Sequence, residues 1–444
     1  MVNHRTQRLA IALLMIGLLP GIAPQAIAQP DRIARVRSFT ENGITVILSP
    51  ADNKLIATII ALDGGIASGE TTNPALGDFA ADLIAASGSK QTPKEELRKF
   101  LARTSTTING DGDQQGVRFS MTATRQNFGK AWNVLAGMIT EPAFDPTAFG
   151  TIMGARTARE RRRNTNPGSY AERIADSLLM LGHPVLGRRT QLADIEAVSV
   201  PMIEAFQRQL AQRSRMTVVV VGNVSEGELR AKLRSFAGLP VGNYTAPVLQ
   251  PLAPAASPKV LVSDRPGSPT TYVSAAFAGP PVRSPEYWPL AIGLAHLRNV
   301  LFQEVRTKRN LSYAPGSHLS SPLGIGVGSM SVSSVYPDSA IEVMNRELQK
   351  MRQGEFTEED LNDSRQVYIT GYFMRQMTNG GVAEALLNAH RSTGDWKTAF
   401  SYDAIQQVTK ASVQAAFQKY ARNLQVGIVG PKSGVTEKKY VMGS

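Results

Sequence analysis

Residues 216–222 of the chain are MTVVVVG, a continuous apolar run ending in glycine that predicts a buried β-strand. The run follows residues 194–199, DIEAVS, whose last serine suits the N-cap of a predicted helix. The same order returns about 210 residues later, where residues 403–409, DAIQQVT, precede a helical pattern and residues 424–430, LQVGIVG, again end an apolar run in glycine. This repeat indicates an internal duplication and therefore two related folding units.

The segment 244–258 separates the two copies, because it has four prolines and no charged residue. It is predicted to be a linker between an N-terminal domain, residues 29–243, and a C-terminal domain, residues 259–444. Each domain begins with alternating apolar residues typical of strands and continues with helical patterns, so the predicted fold class is α+β. Within the first domain, Gly110-Asp111-Gly112 is interpreted as a turn.

Residues 1–28 have the pattern of a secretion signal peptide. Arg5 and Arg8 give a basic start, residues 9–19 form an apolar stretch, and Ala26-Ile27-Ala28 is a small-x-small cleavage site. The apolar stretch is short for a membrane-spanning helix, which requires about 18 or more apolar residues. We therefore expect an exported chain that begins near Gln29, with a retained membrane anchor as the alternative.

The composition excludes some chemistry and leaves the partner open. Because the sequence has no cysteine, it has no disulfide, thiolate metal site or cysteine nucleophile. The formal net charge of +12 favours acidic partners or surfaces. The densest basic run, Arg156 to Arg163, contains no aromatic residue and belongs to no recognisable nucleic-acid module. We interpret it as a solvated helix face or a face that meets an acidic partner, and expect no nucleic-acid binding.

A second informative stretch is residues 301–313, LFQEVRTKRNLSY. Its first part is predicted to end a helix that carries Arg306, and the residues after it turn the chain into a segment that starts at Tyr313. A guanidinium offers several donors to a peptide carbonyl or carboxylate, and a tyrosine hydroxyl adds another donor beside an apolar ring. The two residues are therefore candidates for binding a substrate. The alternative is a surface cation at Arg306 and a half-buried strand residue at Tyr313.

This run resembles the R-x-K-x-x-L-x-Y type of motif of the pitrilysin/insulinase family of zinc metallopeptidases, which includes the mitochondrial processing peptidases. Arg306 and Tyr313 have the spacing and context of that motif. The resemblance extends over essentially all of the chain after residue 28 and is to the short two-domain members. It implies two homologous domains, each an antiparallel-rich sheet with helices packed on it, that form a clam-like half chamber. It also implies that Arg306 and Tyr313 hold a bound peptide and help polarise its scissile carbonyl.

The same family places H-x-x-E-H on a helix, with two histidines as zinc ligands and a glutamate that activates water. At the matching place this chain has ALGDFAADL, residues 75–83, so that Asp78 and Asp82 replace the histidines and Ala81 replaces the glutamate. We expect Asp78 to favour the helix N-terminus and Asp82 to be solvated or bonded to a neighbouring group. The expected third-ligand position holds Arg159, with Glu160 out of register by one residue.

Histidine spacing also predicts no zinc site in this chain, because the histidines beyond residue 28 are isolated from one another. They are His183, His296, His318 and His390.

Together these features predict the zinc-less subunit of a periplasmic heterodimeric metallopeptidase. This chain has no cofactor of its own and supplies Arg306 and Tyr313, while a homologous partner subunit carries the zinc motif and Zn²⁺. The peptide substrate is expected to add as a strand to the partner's sheet. The alternatives are a non-catalytic scaffold with a peptidase-like fold and a peptide-binding protein.

Overall fold

A computed structural model of the protein describes residues 33–400 and 402–443. The predicted signal peptide, residues 1–28, lies outside the described residues. The strands are β1 (Arg37–Glu41), β2 (Ile44–Pro50), β3 (Leu55–Asp63), β4 (Thr107–Asp113), β5 (Gly116–Thr124), β6 (Met216–Gly222), β7 (Lys259–Asp264), β8 (Thr271–Ala278), β9 (Gly316–Ser320), β10 (Val327–Ser334) and β11 (Gln425–Gly430).

The α-helices lie between these strands in both halves of the chain. They are α1 (Leu76–Ser87), α2 (Lys94–Thr104), α3 (Phe128–Thr140), α4 (Pro146–Arg161), α5 (Pro167–Met180), α6 (Leu192–Glu196), α7 (Val200–Leu210), α8 (Glu226–Leu233), α9 (Tyr287–Leu301), α10 (Pro337–Gln353), α11 (Glu358–Arg375), α12 (Asn379–Thr393), α13 (Asp403–Gln406) and α14 (Lys410–Tyr420). None of the helices in the described part of the chain is long and apolar enough to cross a membrane.

The strands form two sheets, one in each half of the chain. The first has the order β1-β2-β6-β3-β5-β4, and the second has the order β7-β11-β8-β10-β9. Each sheet has one parallel pair, β2 with β6 and β7 with β11. The other neighbours are antiparallel. The predicted α+β fold class is confirmed, and the sheets are antiparallel-rich as expected.

The two sheets have the same strand order when β2 is matched with β7. The strands predicted from the repeat, β6 and β11, then occupy equivalent places beside the single parallel partner. The helices that precede them also agree with the repeat. The α7 helix follows Ser199, and α14 follows Thr409, whose side chain accepts a hydrogen bond from the Ser412 N–H. Residues 237–258, all described, form no helix or strand. The duplication seen in the sequence therefore extends to the order of elements.

Each sheet packs one face on helices of its own half. In the first sheet these inward residues include Ile44, Val46 and Ile60, which join a core with α1 and α3. Their alternation with outward residues follows from the period of two in a strand. The second sheet does the same with α9, α10 and α14, for instance through Phe277 and Met330.

The opposite face of each sheet is covered by a helix from the other half. Apolar residues of α12 pack on Ile47, Ile59 and Val219 of the first sheet; they are Val382, Ala383, Leu386 and Leu387. Reciprocally, α5 packs on β8 and β11 of the second sheet, where Ala171 and Ile174 contact Val429. The β6 and β11 strands are buried along their whole length, as expected for strands covered on both faces.

Polar bonds fasten both ends of α12 to the first sheet. At its start, the Asn379 side-chain amide donates to the Leu55 carbonyl at 2.7 Å. Near its end, Arg391 forms an ion pair with Asp63 at the end of β3. Between them, Glu384 accepts from Arg118 of β5 at 2.9 Å. The helix therefore spans β3 from its first residue to its last.

The contact of α5 with the second sheet depends on a glycine in β11. A Cβ atom added at Gly427 would lie 2.2 Å from the Ala171 carbonyl oxygen and 2.7 Å from the Ile174 Cβ. Neither atom is at the end of a flexible side chain, so the helix itself would have to move. Gly427 therefore sets how closely the exchanged helix approaches the sheet.

Replacing Gly427 with alanine is expected to lower the free energy of unfolding by about 2 kcal/mol, because the added methyl group overpacks the contact with α5. Urea denaturation followed by circular dichroism measures the change. Gly434→Ala is the control, since a Cβ there meets nothing within 4 Å. Equal stability of the two variants would contradict the close contact between α5 and β11.

Candidate functional site

Arg306 lies on a wide helical turn that continues directly from α9. Residues Phe302–Thr307 are π-helical. The turn closes with hydrogen bonds from the Asn310 N–H to the Arg306 carbonyl, 2.9 Å, and from the Leu311 N–H to the Val305 carbonyl, 2.8 Å. Asn310 has a φ of 51°, a left-handed conformation that asparagine tolerates better than most residues. Because Val305 is fully buried, the turn is anchored in the core and presents Arg306 outward.

Glu304 neutralises the two other cations of this turn. Its carboxylate accepts from Lys308 and from Arg309, each at 2.6 Å. These two hydrogen bonds hold the pKa of Glu304 at about 2, well below its usual value. The carboxylate is therefore ionised at neutral pH and engaged by its two partners, which leaves it unavailable to Arg306.

The Arg306 guanidinium lies between two aromatic rings. Its Cζ atom is 4.1 Å from the centroid of the Tyr313 ring and 4.7 Å from that of Phe302. Tyr313 is 77% exposed, so its hydroxyl faces solvent. The alternative interpretation of Tyr313 as a half-buried strand residue is wrong, because β9 begins at Gly316 and residues 312–315 are irregular. Tyr313 lies outside the sheet, and its ring stacks on the Arg306 guanidinium.

The stacking orients the Arg306 guanidinium while its N–H groups remain available as hydrogen-bond donors. Stacking on rings satisfies the face of the guanidinium and leaves its in-plane N–H groups open. Within residues 33–400 and 402–443, no ion pair to Arg306 is formed. Arg306 and Tyr313 can therefore present adjacent donors to a carbonyl or carboxylate oxygen.

The helix with the degenerate zinc motif is α1, in the other half of the chain. Asp78 and Asp82 project from it toward one arginine of α4, Arg156. The Arg156 Nη1 atom is 3.3 Å from Asp78, and its Nε donates to Asp82 at 3.1 Å. The guanidinium also lies over the Phe79 ring, 5.1 Å from its centroid. A single side chain thus holds both carboxylates, so Asp82 is bonded to a neighbouring group.

The arginine that pairs with Asp78 and Asp82 is Arg156, one helical turn before the Arg159 position considered in the sequence analysis. Arg159, expected near the third-ligand position, is exposed. Glu160 pairs with Arg163 at 3.1 Å and does not reach α1. Arg156 belongs to the basic run interpreted as a solvated face, but its side chain is only 18% exposed. A position three residues before Arg159 lies on the same face of a helix, which is the signal that could have identified it.

The edge strand β4 fits closely against α1. A Cβ at Gly110 would lie 2.3 Å from the Ala81 carbonyl oxygen, and one at Gly112 would lie 2.2 Å from the Gly77 carbonyl carbon. The interpretation of residues 110–112 as a turn is therefore wrong, because these glycines are in a strand that permits close helix packing. Ala81, at the position of the family's glutamate, is fully buried.

Burial raises the pKa of Asp78, and the charge of Arg156 opposes that rise. Asp82 and Asp111 add negative charge nearby, which also raises the pKa of Asp78. The ion pair with Arg156 is therefore what keeps a carboxylate in this environment favourable.

The residues at this place do not fit Zn²⁺. They provide two carboxylates whose shared position is taken by a guanidinium, and the basic side chain repels a divalent cation. In the described part of the chain, no group of three or more histidine, aspartate or glutamate side chains could hold a metal ion. The histidines are also dispersed. For example, His318 bonds to Ser329, and His296 is buried beside Phe356.

The two sets of residues are in separate halves. In the described residues, no hydrogen bond, ion pair or ring contact joins Arg306 or Tyr313 to α1. The chain therefore contains two distinct features. One is the donor pair, Arg306 and Tyr313, and the other is the cation-filled motif, in which Arg156 lies between Asp78 and Asp82.

Comparison with known proteins agrees with this arrangement. Residues 197–368 match the model of a family described as the peptidase M16 inactive domain. No curated protein matches the chain. A peptidase M16 inactive domain from Pseudomonas fluorescens has a TM-score of 0.79 at 17% identity, with 89% of this chain and 98% of that chain covered. A protease from Helicobacter pylori has the same TM-score at 15% identity, with 89% and 99% covered.

Longer proteins share the fold over part of their length. The periplasmic protease PqqL from Escherichia coli has a TM-score of 0.74 at 20% identity, and the alignment covers 90% of this chain but 46% of PqqL. The fold is thus that of the M16 peptidases. The match of residues 197–368 to a model that describes an inactive domain, together with this fold, agrees with the resemblance of the 301–313 motif to the pitrilysin/insulinase family.

Replacing Arg156 with methionine is expected to lower the free energy of unfolding at neutral pH by about 1–2 kcal/mol. The value is below that for a fully buried pair because Asp78 and Asp82 are each 41% exposed. Without Arg156 the pKa of Asp78 rises further above its unfolded value, so ionising it costs stability as pH rises through that pKa. The loss should therefore shrink toward about pH 4, where Asp78 is increasingly protonated in both states.

Urea denaturation at the two pH values measures this difference. Arg159→Met is the matched control, because that exposed arginine lies on the same helix one turn away. A loss for Arg156→Met that is the same at both pH values would contradict the role of the aspartates.

Proposed function

We propose that this chain is the zinc-less subunit of a heterodimeric metallopeptidase. It supplies Arg306 and Tyr313 to a peptide bound at the zinc centre of a homologous partner subunit. The observation that carries the proposal is the Arg306 guanidinium, which is stacked on Tyr313 at the surface with its in-plane donors free.

The donor pair has the chemistry needed to bind a peptide near a scissile bond. Charge-assisted hydrogen bonds from a guanidinium to a carbonyl oxygen strengthen as negative charge develops on that oxygen. The tyrosine hydroxyl adds a second, neutral donor. Because Glu304 is occupied by Lys308 and Arg309, this carboxylate of the same turn does not compete with a substrate for Arg306.

The cation-filled motif on α1 supports a separate chain as the source of zinc. Asp78, Ala81 and Asp82 offer neither an imidazole ligand nor a general base, and Arg156 supplies the positive charge there. Metal-assisted hydrolysis would therefore belong to the partner, with Zn²⁺ as its cofactor.

The lengths of related structures are consistent with such a division. PqqL and the ferredoxin protease FusC, the latter described in complex with Arabidopsis ferredoxin, are covered by this chain over only 46% and 45% of their lengths. In those proteins one chain includes a further portion of similar length. In the proposed heterodimer, the zinc-carrying partner would provide the corresponding portion. The leader-like residues 1–28 and the periplasmic location of PqqL support the periplasm as the site of action.

A non-catalytic scaffold is the alternative, and a peptide-binding protein is a further one. A scaffold gives no physical reason for a half-buried guanidinium that lies against two rings and forms no ion pair with a carboxylate. A peptide-binding protein would use the same donors without a partner, so turnover in the presence of a zinc-carrying subunit separates these functions.

Tyr313→Phe is expected to lower the turnover of the heterodimer roughly tenfold to a hundredfold, because it removes one donor aimed at the developing oxyanion. Association of the two subunits should be unchanged, since the ring and its stacking on Arg306 are retained. Cleavage of an unstructured peptide measures turnover, and size-exclusion chromatography measures association.

Tyr336→Phe provides the matched control, because Tyr336 is another exposed tyrosine of the same half, 64% exposed. Unchanged turnover in Tyr313→Phe, or an equal loss in both variants, would sink the proposed role of the Tyr313 hydroxyl.

A further inference from the structure

A large cleft lies where the two halves of the chain meet. Its volume is about 940 Å³, at the upper end of the range of about 300–1,000 Å³ typical of ligand sites. One side is built by the hairpin between β4 and β5, including Asp113 and Arg118, together with α12, and the other side is built by α9 and α11. The Arg306/Tyr313 pair and the α1 aspartates are not among its lining residues.

Four arginines line this cleft, and two of them are neutralised. Arg118 pairs with Asp111 and, at 2.9 Å, with Glu384. Arg391 pairs with Asp63 and lies 3.9 Å from Asp113. The wall formed by the first half and α12 is therefore close to neutral.

The other two arginines, Arg283 and Arg375, leave the opposite wall positive. Both are exposed, and Arg283 donates only to the Ser392 carbonyl, at 3.3 Å. No ion pair to either is formed within residues 33–400 and 402–443. Glu286 is close to Arg283 in sequence but accepts from Lys419 at 2.8 Å and from Tyr420. The positive charge of this wall is thus not balanced from within the chain.

A buried donor also belongs to the cleft. The Arg391 side chain is only 10% exposed, and its Nε–H has no hydrogen-bond acceptor among the described residues. An unsatisfied buried donor costs stability unless something else accepts from it. A ligand with acceptor oxygens would meet this need.

The remaining lining suits an extended chain better than a small ion. Tyr287 and Trp288 form an edge-to-face pair at the start of α9, with ring centroids 5.3 Å apart. Trp288 packs in turn on Tyr368, 6.0 Å away. Aromatic surface beside unpaired cations matches a peptide with acidic side chains.

We propose that this cleft binds an acidic segment of a peptide, with Arg283 and Arg375 pairing to its carboxylates. The proposal deepens the proposed function by naming a substrate class, and it concerns binding by this chain alone. A binding measurement on this chain therefore tests it independently of turnover in the heterodimer.

The test is a fluorescence-anisotropy titration of the purified chain with a fluorescein-labelled glutamate-rich peptide and with its glutamine counterpart. The glutamate peptide is expected to bind at least roughly tenfold more tightly, and added salt should weaken it, because exposed charge pairs are screened. The double variant Arg283→Gln/Arg375→Gln should lose roughly tenfold or more of that affinity. Arg283→Lys/Arg375→Lys, which keeps both charges, should recover part of it.

Arg159→Gln/Arg162→Gln is the matched control, because it removes two exposed arginines outside the cleft, one in the last turn of α4 and one directly after it. Equal affinity for the two peptides, or an equal loss in the control and the cleft variant, would overturn the proposal. Cleft binding without any effect on partner turnover would leave this inference intact and count against the heterodimeric peptidase. Turnover by the heterodimer, with no preference of this chain for acidic peptides, would support the heterodimeric peptidase and overturn the inference about the cleft.

Discussion

Each sheet buries its second face only because a helix from the other half covers it. The first sheet receives α12 and the second receives α5, and these helices occupy equivalent places in the duplicated order of elements. Burial of leucines such as Leu386 and Leu387 stabilises the crossing by about 1.5–3 kcal/mol for each side chain. The exchange packs the two halves against each other, and the cleft lies where they meet.

The two halves of the chain place an arginine in contrasting surroundings. On α1 and α4 a guanidinium takes the place of a metal between two carboxylates, so charge balance is reached within the chain. In the second half the situation is reversed, because Arg306 is stacked on rings and left without a carboxylate. One arginine completes a structural pair, and the other is free to meet a ligand. Together they favour a subunit that contributes substrate contacts rather than the hydrolytic centre.

Much of the architecture followed from local patterns in the sequence. The apolar runs of β6 and β11, and the cap at Thr409, lie within short windows whose period and end residues determine them. The exchange of α5 and α12 could not be predicted in this way, since an apolar helix face does not specify which sheet it covers. Arg156 was missed for a related reason: its partners are 74 and 78 residues away in sequence. The glycines of β4 resembled a turn because only the approach of α1 shows why a strand needs them.

The proposal of a zinc-less subunit is tested most directly by combining metal analysis with peptide cleavage. The purified chain is assayed alone, and then mixed with a homologous chain that carries H-x-x-E-H. The account predicts that this chain alone has no stoichiometric zinc and no cleavage activity, and that the mixture cleaves an unstructured peptide faster than the zinc-carrying chain does by itself. Stoichiometric zinc with cleavage by this chain alone would contradict the account, as would a mixture no faster than the zinc-carrying chain.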